Sequence, residues 1–130
     1  MHGAIRAGTI RNTDMYSIQQ LKEMLEYDPD TGIFTWRVGH RKGFTAGSKT
    51  DYIRIVIIRD YVRVEYMAHR LAWLFTYARW PALGLEIDHI NRIKTDNRIV
   101  NLREVTHQVN MMNKKNRHFY RFTGGLDDCR

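Results

Sequence analysis

Apolar positions Ile18, Leu21, Met24 and Leu25 recur at helical spacing behind Ser17, with Gln20 three residues after it, and predict a capped first helix running to about Tyr27. Asp28-Pro29-Asp30-Thr31-Gly32 ends it in a turn. Three stretches rich in β-formers follow, at 33–38, 52–59 and 62–67. The last two are close enough for a hairpin through Arg59-Asp60-Tyr61, and the basic, glycine-containing run 39–49 reads as a loop. The expectation is a small three-stranded antiparallel sheet. Alternate positions Arg54, Arg59 and Arg63, with Tyr52 and Tyr61, then offer a basic, aromatic face to DNA.

Residues 68–80 place Leu71, Leu74, Phe75 and Ala78 on one helical face, ending before Pro81. Beyond it the pattern reads strand (84–90), polar loop (91–98), short strand (101–105) and a helix capped by Thr106 that continues to about Arg117. Val109 and Met112 are its expected inward positions. Residues 1–13 and 119–130 carry no periodicity and read as a flexible leader and tail. The domains so drawn are 14–80, a helix, DNA-contacting sheet and linking helix, and 81–118, a C-terminal unit.

Composition narrows the function. The 130 residues suffice for one domain with a core, and 43% hydrophobic with 27% charged residues match a folded, water-soluble class. The net charge of +7 points to a polyanion, nucleic acid first and an anionic membrane surface second. The excess lies in mid-chain: eight Lys and Arg against three Asp and Glu over 31–70, and nine against four over 71–121. Tyr, Trp and Phe interleave with it, as in a groove for phosphates and sugars, although a solvated basic face reads the same way. One cysteine, Cys129, leaves no disulfide framework, no window reaches a membrane span, and the N-terminus lacks a signal-peptide h-region, so the expected location is cytoplasmic.

Chemistry concentrates in Glu86-Ile87-Asp88-His89-Ile90-Asn91, with Asn101 twelve residues after His89 and Asn110 nine further on. An apolar strand ending in Asp-His needs partners for both groups, and they share a site only where the strand breaks off. Asn110, in the first turn of the last helix, is a poor helix former, and packing brings it beside the strand end. A carboxylate and an amide oxygen make a two-ligand site suited to Mg²⁺ that keeps several waters. His89 brings an imidazole, the side chain whose reference pKa lies nearest neutrality, and is then a candidate general base on water.

These residues resemble the HNH endonucleases, whose core is a ββα-metal finger, and in particular their small phage-type, homing-enzyme-like branch. The resemblance rests on 68–73 (AHRLAW), 86–91 (EIDHIN), 96–103 (DNRIVNLR) and 106–111 (THQVNM), and reaches back to 28–36 (DPDTGIFTW). It implies an α+β protein with a C-terminal ββα-metal finger that hydrolyses DNA phosphodiester bonds, by nicking or double-strand cleavage. It further implies Asp88 and Asn110 as ligands of one divalent metal, Mg²⁺ or alternatively Mn²⁺. His89 is then the general base and Asn101 the residue that orients it. Asn110 stands where many relatives carry His. A phage or mobile-element source, host cytosol as location, double-stranded DNA as partner, no membrane, and a monomer or dimer on DNA complete the picture. A DNA-binding module with an inactive finger and an RNA-directed nuclease are the alternatives.

Other residues have plainer readings. Asn97 reads as a turn residue outside the site. His69 and Arg70 tie their helix to the finger or to a phosphate, His107 touches DNA or solvent, and the tryptophans 36, 73 and 80 pack. Lys114, Lys115 and Arg117 are candidate phosphate contacts, although basic groups there also complement the helix dipole.

Overall fold

The computed structural model describes residues 12–49 and 51–115. Residues 1–11 of the expected leader, the tail with Cys129, and Arg117 lie outside the described residues, as do the side chains of Lys114 and Lys115, while leader residues 12 and 13 are helical. The fold is α+β, with small antiparallel sheets and helices around one core.

A single turn, α1 (Asn12–Met15), precedes α2 (Ile18–Met24). Ser17 caps α2 as expected: its hydroxyl accepts from the Gln20 amide at 3.1 Å, and Gln20 Oε1 accepts from the Ser17 amide at 2.8 Å. The helix ends three residues before Tyr27, because Leu25 turns extended and starts β1 (Leu25–Asp28). Strand β1 pairs with β2 (Ile33–Trp36) through the Asp28–Gly32 turn, closed by Gly32 N–H to Asp28 O at 2.7 Å.

Residues 33–36 therefore join their immediate neighbour rather than the expected three-stranded sheet, since the five-residue turn holds the nearer partner. That sheet is completed instead by β3 (Ser48–Lys49), in the order β3, β4 (Ile53–Arg59), β5 (Val62–Met67). Two residues are too few to show a period. Asp60 and Tyr61, both at positive φ, make the tight β4–β5 turn.

The register separates the three arginines. Ile55↔Tyr66 and Ile57↔Val64 are buried, and Arg59↔Val62 continues that face at its rim, where the Arg59 guanidinium lies 5.8 Å over the Tyr16 ring. Arg54 and Arg63 fall on the opposite face with Glu65, which is 3.8 Å from Arg54. The expected common face of Arg54, Arg59 and Arg63 is thus not formed: residues 54 and 59 have opposite parity.

Helix α3 (Ala68–Tyr77) is the centre of the molecule, with Ala68, His69, Leu71, Ala72, Trp73 and Leu74 buried against both halves. It ends before the predicted Trp80 because Ala78 takes a left-handed conformation and donates its N–H to Leu74 O at 2.8 Å. Trp80 stacks on Tyr66 and Arg70 lies over Trp80, so both serve packing. Beyond α3, β6 (Leu85–His89) and β7 (Leu102–Thr106) form an antiparallel pair against which α4 (His107–Lys115) packs. Asn101 falls in a 3₁₀ turn (Ile99–Asn101) before β7, rather than opening that strand. Thr106 Oγ1 accepts from the Val109 amide at 3.2 Å, as a cap should.

Candidate active site

Strand β6 ends at His89, and Arg92, at φ 64°, turns the chain away while donating its N–H to His89 O at 2.9 Å. This break lets Asp88 and His89 reach one cavity despite being adjacent in sequence. The cavity holds about 30 Å³, room for one water or ion, and is lined by Asp88, His89, Asn110 and Asn113, with Tyr52, Arg92 and Lys94 around it. Asp88, His89 and Asn110, picked from spacing, therefore do converge.

Helix α4 reaches the cavity by inverting its apolar pattern. Val109 and Met112, expected inside, are exposed, while Asn110 and Asn113 are buried. The Nδ2 of Asn110 donates to Glu86 Oε1 at 2.6 Å. A carboxylate only accepts, so Glu86 fixes which end of the amide is which. Asn110 Oδ1 is left buried with no hydrogen-bond partner among the described residues. Glu86 also meets His107 Nδ1 at 2.6 Å.

Asp88 is held by Arg103 and Asn113. Its Oδ2 accepts from Arg103 Nε and lies 2.9 Å from Arg103 Nη2, and Asn113 Nδ2 stands 2.9 Å from Oδ2 and 3.2 Å from Oδ1. Asn113 Oδ1 is buried without a partner among the described residues, like that of Asn110. The donors are thus hard oxygens, a set that fits a divalent cation retaining much of its water. No group of three or more His, Cys, Asp or Glu side chains gathers for a metal among the described residues.

The His89 ring is held by Asn97, a residue expected only to serve the turn. The ring Nε2 is 2.8 Å from Oδ1 of Asn97, a side chain only 1% exposed. Asn101, expected to orient the ring, directs its side chain to the loop instead. It accepts from Asn91 N–H at 2.9 Å and donates to Asn91 Oδ1 at 2.9 Å and to Asp96 O at 2.8 Å. Asp96 in turn grips Arg98 at 2.8 and 2.7 Å and Asn91 Nδ2 at 2.8 Å. The Arg98 guanidinium is the main reason its carboxyl titrates down at about 2. Asn101 therefore closes the loop whose Asn97 meets His89.

Three rings pack at this point. His69, from α3, lies edge-on to His89 at 5.0 Å, and Tyr52 is 5.3 Å from His69 and 6.0 Å from His89. His69 thus ties α3 to the finger, the packing option. Lys94 Nζ sits 5.2 Å over the Tyr52 ring. Tyr52, expected on the sheet face with the arginines, belongs to this site. Glu86, Asn97, Arg103 and Asn113 escaped the sequence reading as functional groups. The one available signal was the pair of polar positions, 110 and 113, three residues apart on a helix whose neighbours are Val and Met.

Residues 66–112 match the HNH endonuclease family. The HNH segment spans β5 to α4 and so contains Asp88, His89, Asn97, Asn101 and Asn110. Among solved structures, one entitled "DNA binding and cleavage by the HNH homing endonuclease I-HmuI" is similar in fold, with a TM-score of 0.59 and 24% identity. The likeness covers 79% of this chain, more than the HNH segment alone, and 58% of that one, so this chain spans little over half the homing enzyme's length. No curated protein matches the sequence. No helix among the described residues is long and apolar enough to cross a membrane.

Proposed function

We propose that this chain is a metal-dependent endonuclease that hydrolyses DNA phosphodiester bonds. The carrying observation is the convergence of the Asp88 carboxylate, the Asn110 amide oxygen and the His89 ring on one ion-sized cavity inside the HNH segment. Asn97 Oδ1 accepts from Nε2–H, so the neutral ring presents its lone pair at Nδ1. His89 takes a proton there from the attacking water. A bond forms between water oxygen and phosphorus, the P–O3′ bond breaks, the departing O3′ takes a proton from solvent water, and 5′-phosphate and 3′-hydroxyl ends result. Asn97 then stabilises the protonated ring through the same contact.

Asp88 and Asn110 would hold the divalent metal, Mg²⁺ or Mn²⁺, with Asn113 beside them. Bound there, it supplies Lewis-acid neutralisation of the phosphate and of the departing oxygen. Arg103 and Asn113 keep the Asp88 oxygens in place, and Lys94, braced on Tyr52, faces the incoming phosphate. Double-stranded DNA as substrate, and a phage or mobile-element source, are part of the same reading.

One observation favours a second reading, a DNA-binding module with a silent finger: both Asp88 oxygens already accept hydrogen bonds from Arg103 or Asn113. Supercoiled plasmid incubated in Mg²⁺, Mn²⁺ or EDTA with the parent and with His89→Ala separates the two. The nuclease gives open-circle product that disappears in EDTA and falls by roughly 10²- to 10⁴-fold in the variant, as loss of a general base should. Tight binding without cutting by the parent favours the module, and cutting confined to an RNA substrate favours an RNA-directed enzyme.

A further inference from the structure

The turn that opens the resemblance, Asp28-Pro29-Asp30-Thr31-Gly32, lies far from the cavity in sequence and outside the HNH segment. In space it sits on the loop that carries Asn97. The Tyr27 hydroxyl donates to the Asn97 backbone carbonyl at 2.6 Å, across seventy residues of chain. Two residues on, Ile99 N–H donates to Pro29 O at 3.1 Å. Between these two bonds Gly32 comes so close that a Cβ there would stand 2.4 Å from the Arg98 nitrogen and 2.4 Å from the Asn97 carbonyl carbon. Its φ of +77° also suits glycine. The contact is thus backbone against backbone, with no side chain between to give way.

Tyr27 is itself fixed. Its ring packs 4.7 Å from Phe34 and edge-on to Phe75 at 6.5 Å. Burial pushes its phenol far above the ordinary range, so the hydroxyl remains a donor at any working pH. Asn97 is then pinned at its backbone by the β1–β2 hairpin, while its side chain holds Nε2 of His89 at 2.8 Å.

From this chain of contacts we infer that the β1–β2 hairpin is a positioning element of the catalytic centre: Tyr27 and the Pro29–Gly32 turn set Asn97, and through Asn97 the orientation and tautomer of His89. The inference rests on the nuclease reading for its kinetic consequence only. The hairpin packs directly on residues 97–99 of that loop and leaves Asn97 buried.

The test compares the full chain with Tyr27→Phe, Asn97→Ala and the double variant. Loss of one aligning hydrogen bond should lower kcat of Tyr27→Phe by about 10-fold, with KM near the parental value and Tm lower by only a few degrees, so that the variant stays folded under assay. In the Asn97→Ala background the same substitution should cost nothing further, because its effect passes through Asn97. Parental kcat in Tyr27→Phe, or losses that multiply in the double variant, overturns the inference. A second readout is independent of cleavage: the ¹⁵N shifts of the His89 ring report which nitrogen carries the proton. They should move from an Nε2–H pattern toward a tautomer mixture in both single variants. Unchanged shifts in Tyr27→Phe also overturn it. Should the parent cut no nucleic acid, the nuclease reading fails while the ring shifts still decide this one.

Discussion

Nε2 of His89 lies 2.8 Å from Oδ1 of Asn97, whereas the side chain of Asn101 closes the 91–101 loop through Asn91 and Asp96. The two asparagines therefore have different work, and substitution should separate them. Asn97→Ala frees the ring to rotate and to place its proton on either nitrogen, and kcat should fall roughly 10- to 100-fold for a misplaced group. Asn101→Ala removes three loop hydrogen bonds, at about 1 kcal/mol each, and should appear chiefly as lost stability in denaturant titration. Equal stability losses with equal kcat would contradict this division.

Glu86 fixes the amide of Asn110 because it can only accept. Glu86→Gln offers a donor as well, so the amide can turn its nitrogen into the cavity and withdraw the oxygen that would face a metal. Weaker Mg²⁺ or Mn²⁺ binding, by about 10- to 100-fold, is expected from loss of such an outer partner, measured by titration calorimetry on the folded protein. His107→Ala leaves the Glu86–Asn110 bond and should have the smaller effect. Metal affinity unchanged in Glu86→Gln would remove Asn110 from the ligand set.

Asp88, His89 and Asn110 were legible because a polar pair at the end of an apolar strand and a misplaced helical Asn violate the pattern around them. Asn97 was not, since Asp-Asn in a polar loop is the common composition of a turn, and its 1% exposure arises only when the β1–β2 hairpin folds over it. The same gap explains the sheets. Local periodicity located β2, β4 and β5 to within a few residues but carried no information on pairing, so β2 was assigned to the wrong partner. It also hid β1, whose Leu25 continues the helical spacing of α2 while its backbone pairs with Trp36. Helix α4 was placed correctly and rotated wrongly, because its inner face serves a polar cavity rather than the core.

Lys94 Nζ stands 5.2 Å over the Tyr52 ring beside the cavity, where a phosphate would arrive. If it contacts one phosphate, Lys94→Ala should reduce the salt slope of duplex binding by about 0.9 and lower affinity alike for all sequences. Tyr52→Leu should act in the same direction by releasing the ammonium, and Tyr52→Phe, which keeps a ring face, should not. Fluorescence anisotropy over a salt series provides the measurement. An unaltered slope in Lys94→Ala would place the lysine off the substrate path.

Arg79, just beyond α3, clamps Glu104 of β7 with contacts of 3.0 and 2.9 Å, and Ala82 N–H adds a third at 2.6 Å. The arginine hydrogen bonds, followed by the Ala82 amide, hold the Glu104 carboxyl at about 2, against an ordinary 4.5. Its pKa is lower folded than unfolded, so between these two values the unfolded chain binds the extra proton. The clamp thus contributes fully above about pH 4.5 and is lost as pH falls toward 2. Because Arg79 is exposed, the contribution is modest and screened by salt. Glu104→Gln should lower Tm at neutral pH, and the gap between parent and variant should narrow through this window and close near pH 2. A gap that stayed constant with pH would show that the clamp acts through packing of residues 79–82 on β7 rather than through charge.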